Sequence, residues 1–169
     1  MQKAEILDAA TAVFLRYGYR KTSMDDLARA AGLSRQGLYL HFRTKEALFD
    51  AVVGHAVAAT RATASAALAD EERTLAGRLT GALTALHGPS AASVHELLGT
   101  PLLAPVRRDV AAGIADLLRH NGIDALWQEA GVTADELAEH LLVVAAGAAQ
   151  DCDEAERVLA IAVRIVTMA

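Results

Sequence analysis

The sequence predicts an all-α protein in which an N-terminal three-helix head is joined to a helical-bundle body. Apolar residues make up 53% of the 169 residues, while aromatic residues make up only 4%. That composition is typical of helices that pack through small side chains. Apolar positions recur with helical spacing along most of the chain. No segment alternates polar and apolar residues for long, so we assign no strand.

The first helix of the head is predicted from about residue 2 to Tyr17. Gly18 ends it, because glycine readily leaves the helical conformation at a C-terminus. One face of this helix is apolar and is expected to be buried: Ile6, Leu7, Ala10, Val13 and Phe14. The helix would pack against two shorter helices that follow it.

Signals for those two helices lie within the next twenty residues. Ser23 is placed to cap the second helix, and Asp26 lies three residues later, where the positive end of the helix dipole favours a carboxylate. Gly32 ends this helix, and Ser34 is placed to cap the third. A helix, a glycine-containing turn and a helix form a helix-turn-helix, whose second helix enters the DNA major groove. We therefore expect a homeodomain-like DNA-binding head over residues 1–49.

The third helix separates a buried side from a side that suits nucleic acid. At about 100° per residue, Leu38 and Phe42 share one side, which faces the preceding helices. The remaining positions can contact bases and phosphates, because Arg suits guanine, Gln suits adenine and an outward Leu suits a thymine methyl. These positions are Arg35, Gln36, Gly37, Tyr39, Leu40 and His41. An amphipathic helix with a merely solvated polar face is the alternative.

Two residues near this helix are unusual for their positions. Gly37 costs about 1 kcal/mol relative to alanine inside a helix, which favours a close approach of the backbone to a ligand. Thr44 is placed to cap a fourth helix, so Lys45 lies in a first turn, where the helix dipole repels a cation. A bound phosphate would reverse that repulsion. We therefore interpret Lys45 as a phosphate contact, with a solvated lysine as the alternative.

Net charge differs between the two ends of the chain. Residues 1–49 contain eight Lys/Arg and five Asp/Glu, for a net charge of +3. Residues 50–169 contain eight Lys/Arg and sixteen Asp/Glu, for a net charge of −8. Phosphate would attract the head and repel the body. The sequence thus predicts a DNA-binding domain over residues 1–49 and a regulatory and dimerisation domain over residues 50–169.

Glycine and proline breaks divide the body into helices. They are predicted at about residues 45–68, 71–86, 91–98, 105–120, 123–130, 133–150 and 153–168. Thr133 and Glu136 form a capping-box pattern, and Asp153 is placed to cap the last helix. The uninterrupted helix that begins at Lys45 is expected to join head and body rigidly. The break at residues 99–101 is a candidate hinge.

The last two helices are apolar on nearly all sides, so each must be covered on two faces. One face would lie on its own body and the other on a twin subunit, in a four-helix bundle. A larger monomeric core is the alternative. The residues assigned to this dimer interface are Leu137, Leu141, Val144, Ala148, Val158, Ile161, Ala162 and Ile165. A two-fold dimer would place two recognition helices about 34–36 Å apart, in successive major grooves of a palindrome.

Catalytic and targeting signals are missing from the sequence. The six histidines show no metal-ligand spacing, and Cys152 alone can build neither a zinc cluster nor an intrachain disulfide. No phosphate loop or nucleophile elbow occurs. We therefore expect no enzyme, no cofactor and no metal. The N-terminus has no signal-peptide pattern, and the longest apolar run, residues 141–149, is far shorter than the roughly 20 residues that span a membrane, so a cytoplasmic protein without membrane contact is expected.

The segment from Ile6 to Val52 resembles the TetR family of bacterial transcriptional regulators. The resemblance covers a little over a quarter of the chain and depends on a set of residues taken together: Phe14, Gly18, Thr22-Ser23, Asp26-Leu27-Ala28, Ala31-Gly32-Leu33-Ser34, Leu38-Tyr39, His41-Phe42 and Lys45-Glu46-Ala47-Leu48. It implies a homodimer that represses transcription at a palindromic operator and releases DNA when a small molecule enters the body.

The resemblance also implies roles for individual residues. The DNA-binding set is Ser23, Met24, Ser34, Arg35, Gln36, Gly37, Tyr39, Leu40, His41 and Lys45, with Ser23 and Lys45 on phosphate and Met24 near the groove. Gly37 departs from the small hydroxylated residue that the family often has there. The body is also short for the family.

A small apolar effector would lie among the middle helices of the body. The candidate lining residues are His87, His95, Leu102 and Trp127. Two other functions remain open from the sequence: a DNA-binding dimer that has no small-molecule effector, and a helical protein-interaction module that never binds DNA.

Overall fold

The computed structural model describes residues 3–87, 103–148 and 155–167. Every regular element within these ranges is helical: α1 (Lys3–Lys21), α2 (Met24–Ala30), α3 (Arg35–His41), α4 (Lys45–Ala69), α5 (Leu75–Ala85), α6 (Ala104–His120), α7 (Ile123–Trp127), a 3₁₀ turn (Gln128–Ala130), α8 (Ala134–Ala148) and α9 (Ala155–Thr167). The predicted all-α fold is confirmed. The predicted helix over 91–98, the candidate hinge over 99–101, His95, Leu102, Cys152 and the Asp153 cap lie outside the described residues.

The chain divides into two compact units inside α4, after Ala59. Among the described residues, the first unit contains 3–59 and Leu103, and the second contains the remainder. We keep the names head and body for these two units. The division falls later than the boundary predicted at residue 49, because Val52, beyond that boundary, is fully buried in the core of the head.

The core of the head joins α1, α2 and α3 to the first turns of α4. Its buried residues are Ile6, Leu7, Ala10, Phe14, Met24, Leu27, Ala28, Ala31, Leu38, Phe42, Leu48 and Val52. Gly18, with φ 75° and ψ 158°, interrupts α1 where the sequence predicts the end of that helix. Only glycine adopts such a conformation at little cost. The chain then makes one more helical turn before α2.

The turn between α2 and α3 forms as the sequence predicts. Ser23 and Asp26 make a reciprocal capping box, in which the Asp26 amide donates to Ser23 Oγ (3.2 Å) and the Ser23 amide donates to Asp26 Oδ2 (3.1 Å). Gly32 has φ 66°, the left-handed conformation that ends a helix. Ser34 Oγ accepts a hydrogen bond from the Gly37 amide at 3.0 Å and so caps α3.

A lysine anchors the start of α4 to the end of α1. Lys45 Nζ donates to the carbonyl oxygens of Tyr19 (3.0 Å) and Thr22 (3.1 Å). It also lies 4.3 Å from the centroid of the Tyr19 ring. Carbonyl groups at a helix C-terminus lack intrahelical partners and carry partial negative charge, so a half-buried ammonium satisfies them there.

Aromatic packing reinforces this anchor. The Tyr19 ring lies 4.8 Å from the Phe49 ring, and Phe49 meets Phe14 edge to face at 5.1 Å. The Tyr19 hydroxyl donates to Glu46 Oε1 at 2.8 Å, and this hydrogen bond raises the pKa of Tyr19 above its ordinary value. The first two turns of α4 are therefore joined to α1 through both polar and apolar contacts.

The body is built on the packing of α6 along α8 and of α8 along α9, with α5 contacting α9. Thr133 and Glu136 form the predicted capping box, with a distance of 2.8 Å between the Thr133 amide nitrogen and Glu136 Oε2. The prediction that the next helix after α4 begins at residue 71 is wrong. It begins at Leu75, because Thr74 Oγ1 accepts the Gly77 amide at 3.1 Å and caps α5.

The predicted dimer-interface residues differ in how far their own chain already buries them. Leu137, Leu141 and Ala162 are buried within a single chain, so their assignment to a partner surface is corrected: they belong to the core of the body. Val144 and Ala148 are half-buried. Val158, Ile161 and Ile165, by contrast, are 37%, 49% and 53% exposed. In the part of the chain that the structure describes, no helix combines the length and the apolar character needed to cross a membrane.

The capping box of α2 makes the stability of the head sensitive to acid. The Ser23 side chain, followed by its amide, lowers the pKa of Asp26 below its ordinary value of 3.8. The folded head thus binds fewer protons than the unfolded chain, and the stabilisation is present above the ordinary pKa and is lost as pH falls through the lowered value. We expect Asp26→Ala to lower the free energy of unfolding at pH 7 and to differ less from the natural protein at pH 3, as measured in urea.

Asp50→Ala is the matched control, since Asp50 is an exposed carboxylate on α4 rather than a capping residue. The difference in free energy of unfolding between Asp50→Ala and the natural protein should not become smaller from pH 7 to pH 3. A gap between Asp26→Ala and the natural protein that stays constant from pH 7 to pH 3 would contradict the role given to the carboxylate.

Replacing Lys45 tests the anchor between α1 and α4. Lys45→Met keeps most of the side-chain length but removes the ammonium, so the Thr22 carbonyl loses this donor and the Tyr19 carbonyl keeps only the Thr22 amide, at 3.4 Å. We expect the free energy of unfolding to fall by about 1–3 kcal/mol, with faster amide hydrogen exchange in α1 and α2. Lys21→Met, at an exposed position, should change neither measurement appreciably. Equal effects of the two substitutions would show that the Lys45 contacts do not stabilise the head.

Candidate nucleic-acid interface

The third helix presents a polar surface because its apolar side is fully used in the core. Leu38 is 0% exposed and Phe42 is 5% exposed. The other side chains of α3 point outward, as the helical spacing predicts. We call this set the α3 surface: Arg35, Gln36, Tyr39, Leu40 and His41, all exposed. Leu40, at 85%, is the most exposed large apolar residue in the described part of the chain.

Arg35 is held between two neighbours. Its Nη1 donates to Asp25 Oδ2 at 3.1 Å, across the turn from α2. Its guanidinium carbon also lies 5.7 Å from the centroid of the Tyr39 ring. The Tyr39 side chain, followed by the Asp25 carboxylate, raises the pKa of Arg35. Asp25 is not among the residues predicted from the sequence, although its place in the first turn of α2, beside the cap, was an available signal.

The absence of a side chain at Gly37 has a local structural reason, in addition to any contact with a ligand. A Cβ atom at this position would lie 3.2 Å from Ser34 Oγ, the atom that caps α3. Few Cβ atoms in proteins make so close a contact, and the absence of a side chain therefore leaves the cap unstrained. The sequence predicted close approach to a ligand, whereas the close neighbour in the structure is the helix's own cap.

Met24 is corrected. The resemblance implied a place near the groove, but Met24 is only 8% exposed and packs in the core of the head. It is the first residue of α2, and its apolar side chain turns inward beside Leu27 and Ala28. Ser23 and Ser34, which cap α2 and α3, are exposed at the N-termini of these helices.

Lys45 has a structural role that the sequence did not reveal. Two of the three ammonium donors are directed to the carbonyl groups that end α1. One donor remains for a phosphate. The prediction that Lys45 contacts phosphate therefore applies to that single donor, beside an anchoring role.

Further cations surround an open groove between α1 and α2. Arg16, Lys21 and Arg29 line this groove of about 650 Å³, together with one carboxylate, Asp26. Arg29 makes only a loose ion pair with Asp26, at 3.7 Å. Such an excess of positive charge attracts a polyanion such as the DNA backbone.

The candidate effector residues of the body are used in other ways. Trp127 Nε1 donates to the Val166 carbonyl oxygen at 2.9 Å, and His87 Nδ1 lies 3.1 Å from the Leu83 carbonyl oxygen. An open groove of about 720 Å³ lies among α4, α5 and α9, lined by Thr63, Arg73, Ala76, Gly77, Thr80, Gly81, Thr84, Ala85, Ala160, Val163 and Arg164. Neither Trp127 nor His87 is among these lining residues.

Sequence comparison agrees with the geometry of the head. Residues 6–52 match the family described as "Bacterial regulatory proteins, tetR family". The HTH-type transcriptional repressor Rv1474c of Mycobacterium tuberculosis is 43% identical over 51 residues, which are 30% of this chain and 27% of that protein. The uncharacterized HTH-type transcriptional regulator YfiR of Bacillus subtilis is 42% identical over 52 residues, which are 31% of this chain and 25% of that protein. The chain thus matches about a quarter of the length of these curated relatives.

Similarity to solved structures extends over nearly the whole chain. SCO4454, a TetR-family transcriptional regulator from Streptomyces coelicolor, superposes with a TM-score of 0.68 at 19% identity, covering 98% of this chain and 94% of that one. SmeT, the repressor of the Stenotrophomonas maltophilia multidrug efflux pump SmeDEF, gives a TM-score of 0.66 at 18% identity, covering 99% and 89%. At these low identities, the superpositions show the fold alone. Residues 6–52 thus match the tetR family of bacterial regulatory proteins, and the chain as a whole shares the fold of the solved transcriptional regulators named here.

Proposed function

We propose that this protein is a DNA-binding transcriptional repressor that acts in the cytoplasm and binds a palindromic operator as a homodimer. The observation that carries the proposal is the α3 surface, which exposes Arg35, Gln36, Tyr39, Leu40 and His41 while Leu38 and Phe42 fix the helix to the core. The repressors Rv1474c and SmeT support the direction of the regulation.

The chemistry of the α3 surface suits the edges of base pairs. Arg35 presents paired donors to guanine O6 and N7, and Gln36 pairs with the N6 and N7 atoms of adenine. Leu40 offers an apolar contact to a thymine methyl. Tyr39 and His41, on the flanks, contact phosphate or base.

Contacts to the DNA backbone would fix the position of the head. The exposed N-terminus of α3, at Ser34, favours an anion because of the helix dipole, whereas both donors of Ser23, at the start of α2, already pair with Asp26 Oδ2. Lys45 adds its remaining donor to a phosphate. These contacts carry no sequence information but orient the α3 surface in the groove.

The exposed apolar side chains of α9 support self-association. Val158, Ile161 and Ile165 share one face of the helix, at spacings of three and four residues, and form what we call the apolar stripe. A two-fold interface brings the same stripe from both subunits together, which would exclude water from these side chains. Val143 on α8 is 60% exposed and could extend the interface.

We also propose that a small apolar effector regulates DNA binding. The competing proposal, called the competitor below, is a DNA-binding dimer that has no effector. The competitor is favoured by the placement of Trp127 and His87, whose polar atoms contact main-chain carbonyls of their own chain. The groove of about 720 Å³ is the alternative ligand site within the described body. Ligand-induced release of an operator duplex separates the two functions.

Substitutions on the α3 surface test DNA recognition. A duplex selected by the natural protein from a randomised pool, or footprinted on genomic DNA, supplies the site. Arg35→Ala or Gln36→Ala is expected to weaken binding to it by about 1–3 kcal/mol, or roughly 5- to 150-fold, and to relax specificity at one base pair. Fluorescence anisotropy measures both effects. Arg108→Ala, at an exposed position of the body, serves as the control for the lost positive charge. If Arg108→Ala weakened binding as much as Arg35→Ala, the assignment of α3 as the recognition helix would be wrong.

Charged substitution in the apolar stripe tests the dimer. Ile161→Asp buries a carboxylate if the stripe is covered by a second copy, so we expect a monomer by size-exclusion chromatography with light scattering and a loss of affinity for the two half-sites. Leu126→Asp, at a residue that is 61% exposed on α7, should leave the dimer intact. A natural protein that is already monomeric at micromolar concentration, or an Ile161→Asp variant that remains dimeric, would reject the stripe as the interface.

A further inference from the structure

The ion pair between Asp25 and Arg35 lies across the helix-turn-helix turn, at the edge of the α3 surface. The carboxylate belongs to the first turn of α2, and the guanidinium belongs to the first residue of α3. Their side chains remain 51% and 60% exposed, at a distance of 3.1 Å between Asp25 Oδ2 and Arg35 Nη1. A ligand can therefore reach the pair without rearrangement of the core.

An exposed ion pair of this kind contributes little to folding stability. Measured values for such pairs cluster at or below about 1 kcal/mol. The pair does, however, determine where the guanidinium lies and what charge it presents. Together with the Tyr39 ring at 5.7 Å, the carboxylate limits the positions that Arg35 occupies before DNA binds.

The two kinds of acceptor on DNA respond differently to a paired arginine. A guanidinium has five N–H donors, and the hydrogen bond to Asp25 uses one of them, on Nη1. The rest can still reach the O6 and N7 atoms of guanine, which are neutral acceptors. A phosphate brings a full negative charge, which the nearby carboxylate repels. Pairing with an acid thus preserves the base contact and weakens the backbone contact.

We propose that Asp25 is a specificity-determining residue, which holds Arg35 for a guanine edge and opposes its capture by the DNA backbone. The proposal rests on the proposed function, since it concerns how the same surface chooses among DNA sequences. Asp25 acts through Arg35 and is a positioning residue. Its effect is to lower affinity for DNA of any sequence more than affinity for the operator.

The test compares Asp25→Asn with the natural protein on two probes. One is the duplex that the natural protein selects from a randomised pool, and the other is a scrambled duplex of equal length. We expect Asp25→Asn to bind the scrambled duplex about 3- to 10-fold more tightly at 50 mM salt. We also expect a salt dependence steeper by about one phosphate contact between 50 and 200 mM salt, because Arg35 is then free to pair with phosphate. The ratio of the two affinities should fall about tenfold.

Two further variants separate this role from a general effect of charge. Asp50→Asn removes the same charge from an exposed position on α4 and should leave the affinity ratio unchanged. Asp25→Glu keeps the carboxylate and should restore most of the ratio. Thermal unfolding of each variant shows whether the head remains folded. A structural defect would weaken binding to both probes, which is opposite to the expected gain on the scrambled duplex.

The inference can also be tested on the natural protein, with the DNA modified instead of the protein. Replacing each guanine of the selected duplex in turn by 7-deazaguanine removes the N7 acceptor, and one replacement per half-site should weaken binding at least fivefold. If none does, or if Asp25→Asn and Asp50→Asn give equal ratios and salt slopes, the inference is overturned while the proposed function stands. If the natural protein selects no duplex and binds none, the proposed function fails and the inference fails with it.

Discussion

The burial of Leu38 and Phe42 is the constraint on which the rest of the head depends. The helix that contains Leu38 has seven residues, too few to be stable in water by itself. Tertiary contacts must therefore hold it, and these two side chains supply them. Since one face is fixed inward, the direction of every other side chain on α3 follows from helical geometry. An exposed polar surface is thus a direct consequence of two apolar residues.

Local features of the fold were predictable from the sequence, and contacts between distant residues were not. The caps at Ser23 and Ser34 depend on neighbours within three residues, so residue type and spacing suffice to place them. The hydrogen bonds of Lys45 reach carbonyl groups that lie 26 and 23 residues earlier in the chain. Helix periodicity contains no information about such pairs. The same reason applies to Asp25, whose partner lies in the following helix, and to Met24, whose apolar character alone did not decide between core and groove.

Periodicity in the body identified apolar faces but not what covers them. Leu141 and Ile161 are equally apolar in the sequence, yet one is fully buried in its own chain and the other is half exposed. The difference depends on which helices pack together, and that is a property of the whole chain. The late start of α5 shows a competing local signal: the acidic residues of 71–72 suit a first turn, but Thr74 offers the better cap, since its hydroxyl accepts the Gly77 amide.

Trp127 is the one tryptophan of the sequence, and its indole nitrogen donates a hydrogen bond to the Val166 carbonyl oxygen in the final turn of α9. Indole emission shifts to longer wavelength when water replaces a protein acceptor and apolar neighbours. The intrinsic fluorescence of this protein is therefore a built-in optical reporter, specific to the attachment of the C-terminal helix. It makes detachment of that helix visible separately from events in the head, whose chromophores are tyrosines and phenylalanines.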